Sequence, residues 1–275
     1  MSDAVKFVDV PNEHWGLGSI IWSQKFMSGY PNNFFKPNKE ITRAEFVSAL
    51  HKYHLIMHQH LKTYLVERIK PSVVVVKNTY TNEKDEKKQG LGTGTVINAQ
   101  GQVLTNYHVI DSMGNMAEQK IEVGVLTESR SDNIEQVKWY NAEMIAGDKW
   151  ISEDMAVLQI KGLDRDIPTM PILAENLAEG EDVISYGHGG AYTFAVGDGV
   201  IAQDNQLVGG LFMFGQTNAT INPGNSGGLI SSIWKKAIAG IPTRKATSYD
   251  DINFYVPASR IIWFLENNNI KHTKA

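Results

Sequence analysis

The sequence predicts a mainly β protein of the sandwich or barrel kind, preceded by a small α-helical domain. Three observations lead there. Apolar residues recur at helical spacing before Pro71; short β-branched or alternating runs, separated by glycine-rich turns, replace them after it; and little helical patterning interrupts those runs before the final stretch.

In chain order, the first element is a helix over "EHWGLGSIIWSQKFM", where Trp15, Ile20, Trp22 and Phe26 share one broad apolar face. Gly29-Tyr30-Pro31-Asn32-Asn33 breaks it. Thr42-Arg43-Ala44-Glu45 has the form of a capping box, in which hydroxyl and carboxylate each satisfy a free backbone N–H. The helix it opens runs toward Ile69 and stops before Pro71. The β region then reads as "SVVVVKNTY", "GTGTVINAQGQVLTN", "QVKWYNAEMIAG", "MAVLQI", "DVISYG", "FAVGDGVIA", "LVGGLFMFG", "GLISSI", "KAIAGIP" and "NFYVPA". The charged stretch "TNEKDEKKQG" is a solvated hairpin tip. A helix from Pro257 to about Asn267, with proline near its first turn, closes the chain. These elements divide the protein into a helical module over 1–60, a connecting helix over 61–70 and a β domain over 71–275.

The 275 residues and 42% hydrophobic content allow a sizeable core, and a net charge of -4 with interspersed signs argues against a nucleic-acid partner. No apolar stretch is long enough to span a bilayer, and Met1-Ser2-Asp3-Ala4-Val5-Lys6 lacks the pattern of an export signal, which points to the cytoplasm. Cysteine is absent, so no disulfide supports the fold. His51, His54 and His58 share a helix face at metal-compatible spacing, with His60 nearby, but there is no H-E-x-x-H glutamate; a wetted face is expected, and neither metal nor cofactor.

The chemistry gathers around "TINPGNSGGLI", Thr220 to Ile230. Gly224-Asn225-Ser226-Gly227-Gly228 satisfies G-x-S-x-G, the nucleophile elbow of α/β-hydrolases, so chain order must decide. Acyl transfer by serine needs an imidazole to take the hydroxyl proton and a carboxylate to orient the imidazole. "VLTNYHVI" supplies His108, "SEDMAVLQI" supplies Asp154, and Ser226 follows. His, Asp, Ser is the order of chymotrypsin-like barrels; hydrolases need Ser, acid, His and subtilisins Asp, His, Ser. The only histidine after Ser226 is His272 in the polar tail, so the elbow match is accidental. On this reading His108 is the general base, Asp154 its orienter and Ser226 the nucleophile. Gly224 lets its own N–H and that of Ser226 converge on the oxyanion position, with Asn225 N–H nearby. His188 lies outside such a context and is expected in a loop.

With those residues in place, "GLGTGTVINAQGQVLTNYHVI", "DMAVLQI", "VISYG", "QTNATINPGNSGGLI" and "INFYVPAS" resemble the successive blocks of an HtrA (Deg) trypsin-fold serine peptidase over about residues 70 to 265. The resemblance implies a chymotrypsin/trypsin-like double β-barrel with His108, Asp154 and Ser226 between the barrels, and protein or peptide substrates. It departs at Leu229, where the family has proline, and at His188-Gly189-Gly190, where it has Asn-Pro. No PDZ-like stretch follows the blocks, and no Ile-Val-Gly-Gly-like start suggests zymogen activation. In this fold the residue six before the nucleophile floors the P1 pocket; here it is Thr220, not an acid, which argues against a basic P1 residue. The resemblance favours a small aliphatic P1 side chain, with Ile221, Ala239, Gly240 and Ile241 as pocket walls.

"FVDVPNEHWGLGSIIWSQKFMSGYPNNFFKPNKEITRAEFVSAL", from Phe7 to about Leu50, resembles one S-layer homology (SLH) module. That resemblance implies a secondary cell-wall polymer or protein partner and a cell-envelope location, with Arg43 and Trp15 as glycan contacts or, more simply, as local packing. Such modules typically act in threes, and HtrA-type enzymes are commonly trimers, so a homotrimer would bring three copies together. Two other readings stand beside the endopeptidase: a catalytically silent peptide-binding protein tethered by its module, and a chaperone-like protein that binds unfolded chains.

Overall fold

The computed structural model describes residues 7–10, 13, 16–24, 27–82, 84–111, 114–127, 136–148, 154–189, 193–208, 212–245 and 252–275. Trp15, Phe26 and Gly190 lie outside the described residues. The chain forms two compact units, Met1–Thr63 and Tyr64–Ala275.

The first unit holds helix α1 (Leu17–Ser23) and most of α2 (Arg43–Ile69). Its core is Phe7, Val10 and Ile20 with Phe35 packed against them. Phe7 and Phe35 tilt together with ring centroids 5.1 Å apart. Asp9 stitches this core to the loop before α2, its carboxylate accepting from Phe35 N–H at 2.7 Å and Lys36 N–H at 2.6 Å. The apolar face expected of the first helix divides: Ile20 is buried, whereas Trp22 is 48% exposed and meets the edge of Tyr53. Two positions along a helix is more than half a turn, so these two side chains cannot share a face. The capping box forms, with Thr42 Oγ1 accepting from Glu45 N–H at 3.1 Å and Glu45 accepting from Thr42 N–H at 2.9 Å. The Thr42 N–H and hydroxyl, joined by the Tyr30 hydroxyl, push the Glu45 carboxyl down to about 2.

The second unit is two closed antiparallel barrels of six strands. The first contains β1 (Val73–Asn82), β2 (Lys87–Val96), β3 (Gln102–Thr105), β4 (Gly114–Leu126), β5 (Val137–Asp148) and β6 (Met155–Ile160). It closes because β1 pairs with β2 on one side and β4 on the other, Val75 facing both Thr93 and Gly124. Val74, Val76, Val103, Val123 and Leu158 fill it. β4 is a strand absent from the runs read in the sequence. Its first half, "GNMAEQK", carries no alternating apolar pattern, and only Ile121, Val123 and Val125 beat at period two. The charged tip between β1 and β2 is a tight turn in which Asn82 Oδ1 accepts from Lys84 and Glu86 N–H.

The second barrel contains β7 (Asp182–Gly189), β8 (Thr193–Val208), β9 (Phe212–Thr217), β10 (Leu229–Ser232), β11 (Ile238–Lys245) and β12 (Asn253–Pro257). The single run "LVGGLFMFG" is divided between the end of β8 and the start of β9. Tyr186, Phe214 and Tyr255 are its largest fully buried side chains. Helix α4 (Ala258–Asn267) follows, burying Ile261, Phe264 and Leu265. A short helix α3 (Tyr107–Ile110) after β3 completes the elements that matter for the site.

Candidate active site

His108 sits in the first turn after β3, and Asp154 immediately precedes β6. β3 and β6 are paired with Thr105 opposite Ala156, so sheet register alone brings the two residues together. The contact is double. Asp154 Oδ1 accepts from His108 backbone N–H at 3.0 Å, and Asp154 Oδ2 lies 2.8 Å from His108 Nδ1. A carboxylate only accepts, so Nδ1 carries a proton, and in the neutral imidazole that leaves the lone pair on Nε2. The imidazole is half exposed, with a side-chain exposure of 47%, while that of Asp154 is 6%. The base therefore faces solvent, and its orienter does not.

Two residues that the sequence reading missed hold Asp154. Thr243 of β11 donates its hydroxyl to Asp154 Oδ2, and Asn106 Nδ2 donates to the Asp154 carbonyl at 2.9 Å. Burial works to raise the Asp154 carboxyl, but the His108 hydrogen bond and charge and the Thr243 hydroxyl outweigh it, and the group sits below the ordinary carboxylate value of 3.8. Asp154 also adopts a left-handed φ of 45°, which aims its side chain back at α3. No local pattern signals Thr243 or Asn106, which lies directly before the helical turn that carries His108.

Ser226 lies on the stretch between β9 and β10. Asn222-Pro223-Gly224-Asn225 folds as a type II turn: Asn225 N–H donates to the Asn222 carbonyl at 2.9 Å, and Gly224 has φ of 99°. Proline presets the first central position and glycine supplies the positive φ at the second. Among the described residues, neither Gly224 N–H nor Ser226 N–H has an acceptor, so both are available to an oxyanion. Asn225 is buried behind them. Gly227 anchors the other side. Its φ is 82°, and a Cβ there would stand 2.1 Å from the Thr93 carbonyl and 3.1 Å from Asn106 N. Ser226 is thus seated on β2 of the first barrel, beside the residues that lead into His108; Thr93 N–H donates to the Ser226 carbonyl at 2.9 Å. No hydrogen bond joins Ser226 Oγ to His108 among the described residues, and in unliganded serine enzymes that bond commonly tightens only on substrate binding.

The remaining candidates fall as follows. Thr220 is exposed, its carbonyl accepting the Ser185 hydroxyl at 2.7 Å, and Ile221 is buried beside it. Ala239, Gly240 and Ile241 are buried within β11, where the Tyr255 ring occupies the space over Gly240. His188 lies inside β7 rather than in a loop; its ring is fully buried, edge-on to Phe194, and burial lowers its pKa. In the first unit Arg43 is exposed at the start of α2, and the His54 and His58 rings stack 6.4 Å apart on its surface. Among the described residues no three His, Asp or Glu side chains converge as metal ligands.

Comparison with known proteins gives the family. Residues 92–235 match the Trypsin-like peptidase domain, and residues 6–47 match the S-layer homology domain. The chain is 34% identical over 149 residues to a probable periplasmic serine endoprotease, DegP-like, of Pseudomonas savastanoi pv. phaseolicola, covering 53% of this chain and 27% of that protein. It is 31% identical over 222 residues to the serine protease HTRA1 of Xenopus tropicalis, covering 76% and 43%. The chain therefore spans less than half the length of these relatives. The crystal structure of the serine endoprotease from Yersinia pestis superposes with a TM-score of 0.58 at 26% identity, covering 75% of this chain and 65% of that one.

Proposed function

We propose, from the premise that this chain belongs to the trypsin-like peptidase family in its HtrA branch and carries an S-layer homology module, that it is a serine endopeptidase. His108 Nε2 takes the proton of Ser226 Oγ as that oxygen attacks the scissile carbonyl. The N–H groups of Gly224 and Ser226 receive the developing oxyanion; Asn225 N–H, expected nearby, is instead committed to the Asn222 carbonyl. The imidazolium, held by Asp154, returns its proton to the leaving amine, and water, activated by the same His108, hydrolyses the acyl-enzyme. The observation that supports this reading above others is the buried Asp154 carboxylate gripping His108 by two N–H groups while two N–H groups of the Ser226 turn have no acceptor among the described residues.

Intact-mass analysis after a fluorophosphonate probe tests it. A single adduct is expected on Ser226, abolished in Ser226→Ala and in His108→Ala. Absence of the adduct in the wild-type chain would replace the enzyme by the catalytically silent peptide binder. Thr220 in place of an acid argues against a basic P1 residue, and the family resemblance favours a small aliphatic one; a peptide library cleaved mainly after Arg or Lys rejects that preference.

The module is the docking element. A cavity of about 450 Å³ in the first unit is lined by Tyr30, Lys36, Lys39, Glu45 and Lys52 among others, with Lys36 and Lys39 both stacked on the Tyr30 ring. Three lysines outnumber Glu40 and Glu45 in this lining, a small cationic excess beside an aromatic ring that suits an anionic wall polymer. Retention of the chain by purified cell walls, lost in Lys36→Glu, is the expected result. A homotrimer would present three such modules; light scattering that gives a monomer at micromolar concentration excludes it.

A further inference from the structure

We infer that Thr93 is a positioning residue for the oxyanion hole: its side-chain hydroxyl, from the first barrel, sets the nucleophile turn of the second. The inference rests on the peptidase reading above. Thr93 is fully buried in β2, opposite Val75 of β1. Four hydrogen bonds meet on this one residue. Its backbone N–H donates to the Ser226 carbonyl at 2.9 Å and its hydroxyl donates to the Gly224 carbonyl at 2.6 Å. The hydroxyl in turn accepts from His188 N–H at 2.7 Å, and the Thr93 carbonyl accepts the Thr105 hydroxyl at 2.7 Å.

The direction of these bonds follows from counting protons. A hydroxyl has one proton to give and lone pairs to receive with. His188 N–H can only donate, so Oγ1 must accept there, and its single proton is left for the Gly224 carbonyl, which can only accept. Thr93 thereby grips the two carbonyls on either side of Asn225 and Ser226. With both carbonyls drawn toward β2, the Ser226 N–H between them and the turn that presents Gly224 N–H are held as a unit. The backbone half of the grip survives any substitution that keeps the strand. The Gly224 half exists only because residue 93 carries a hydroxyl.

A donor that is placed beforehand stabilises the transition state without reorganising during the reaction, so loosening it reduces kcat more than KM. Thr93→Val keeps the shape and removes the hydroxyl. We expect kcat to fall about tenfold to a hundredfold with KM within about twofold, less than the loss on deleting a donor outright. Binding of a peptide boronate, whose tetrahedral adduct needs the hole, weakens in parallel, and Thr93→Ser restores most of both. Circular dichroism and a thermal melt establish that the variants are folded; should Thr93→Val not fold, Thr93→Cys, with a thiol that hydrogen-bonds only weakly, takes its place. Wild-type kcat and boronate affinity in Thr93→Val, or equal losses in Thr93→Val and Thr93→Ser, would overturn the inference. Wild-type protein that gives no Ser226 adduct would instead remove the peptidase reading on which it stands, and the two failures are told apart by that control.

Discussion

His108 and Asp154 are set by the sheet of the first barrel, whereas Ser226 is set by a turn of the second. The first pair follows from strand register, since β3 and β6 cannot pair as they do without bringing the loop after one against the start of the other. The second depends on separate hydrogen bonds, two of them from Thr93, and two positive-φ glycines on a stretch outside any strand. A site built this way has a rigid acid–base half and a nucleophile half that single contacts control. That difference orders the consequences of substitution.

The largest effect is expected in the rigid half. Asp154→Asn keeps the fold but lets the imidazole adopt the wrong tautomer, and kcat should fall on the order of 10⁴-fold, measured on a peptide substrate. A loss below about tenfold would mean that another group orients His108. Next comes the turn. Gly227→Ala must place a Cβ against the Thr93 carbonyl at a φ of 82°, so it should lower stability by about 2 kcal/mol and fluorophosphonate labelling by about a hundredfold. Unchanged labelling would show that the turn is less constrained than the register-built pair.

Smaller effects come from the groups that brace each half. Thr243→Val should cost about threefold to tenfold in kcat and change the acid limb of stability. The sign follows from Asp154: its folded pKa lies below the unfolded value of 3.8, so its contribution is present above that pH and is lost as pH falls through the folded value. Removing the Thr243 hydroxyl moves that loss to higher pH, which melting curves between about pH 2 and pH 5 would resolve. His188 has the opposite character, a buried imidazole whose pKa lies below the ordinary 6.5. The unfolded chain binds its proton first, so stability falls as pH drops below that value. His188→Phe should flatten the melting temperature between about pH 6.5 and pH 5, and an unaltered slope would assign the titration elsewhere.

The legible parts were those with local signals. Thr42 and Glu45 three residues apart announce a reciprocal cap; Gly224 announces a backbone conformation closed to other residues; and the four consecutive valines Val73 to Val76 announce β1. β4 was missed because its Glu-Gln-Lys segment meets β1 through polar groups, Thr81 on Glu118 and Gln119 on Asn78, which leaves no apolar rhythm to read. Trp22 was assigned to a core face from hydrophobicity, and the helix turns it outward. Ala239, Gly240 and Ile241 read as an apolar strand and lie buried in β11.

By itself the sequence determined the succession of short strands and the chemistry of the Gly224 turn, because each depends on neighbours a few residues apart, and the order His108, Asp154, Ser226, because order along the chain needs no contact. Tertiary structure decided that Thr243 reaches Asp154 across 89 positions and Thr93 reaches Gly224 across 131. A side-chain hydrogen bond requires its partners within about 3 Å. Only closure of both barrels and the seating of one on the other brings such distant residues that close, and no periodicity along the chain encodes it.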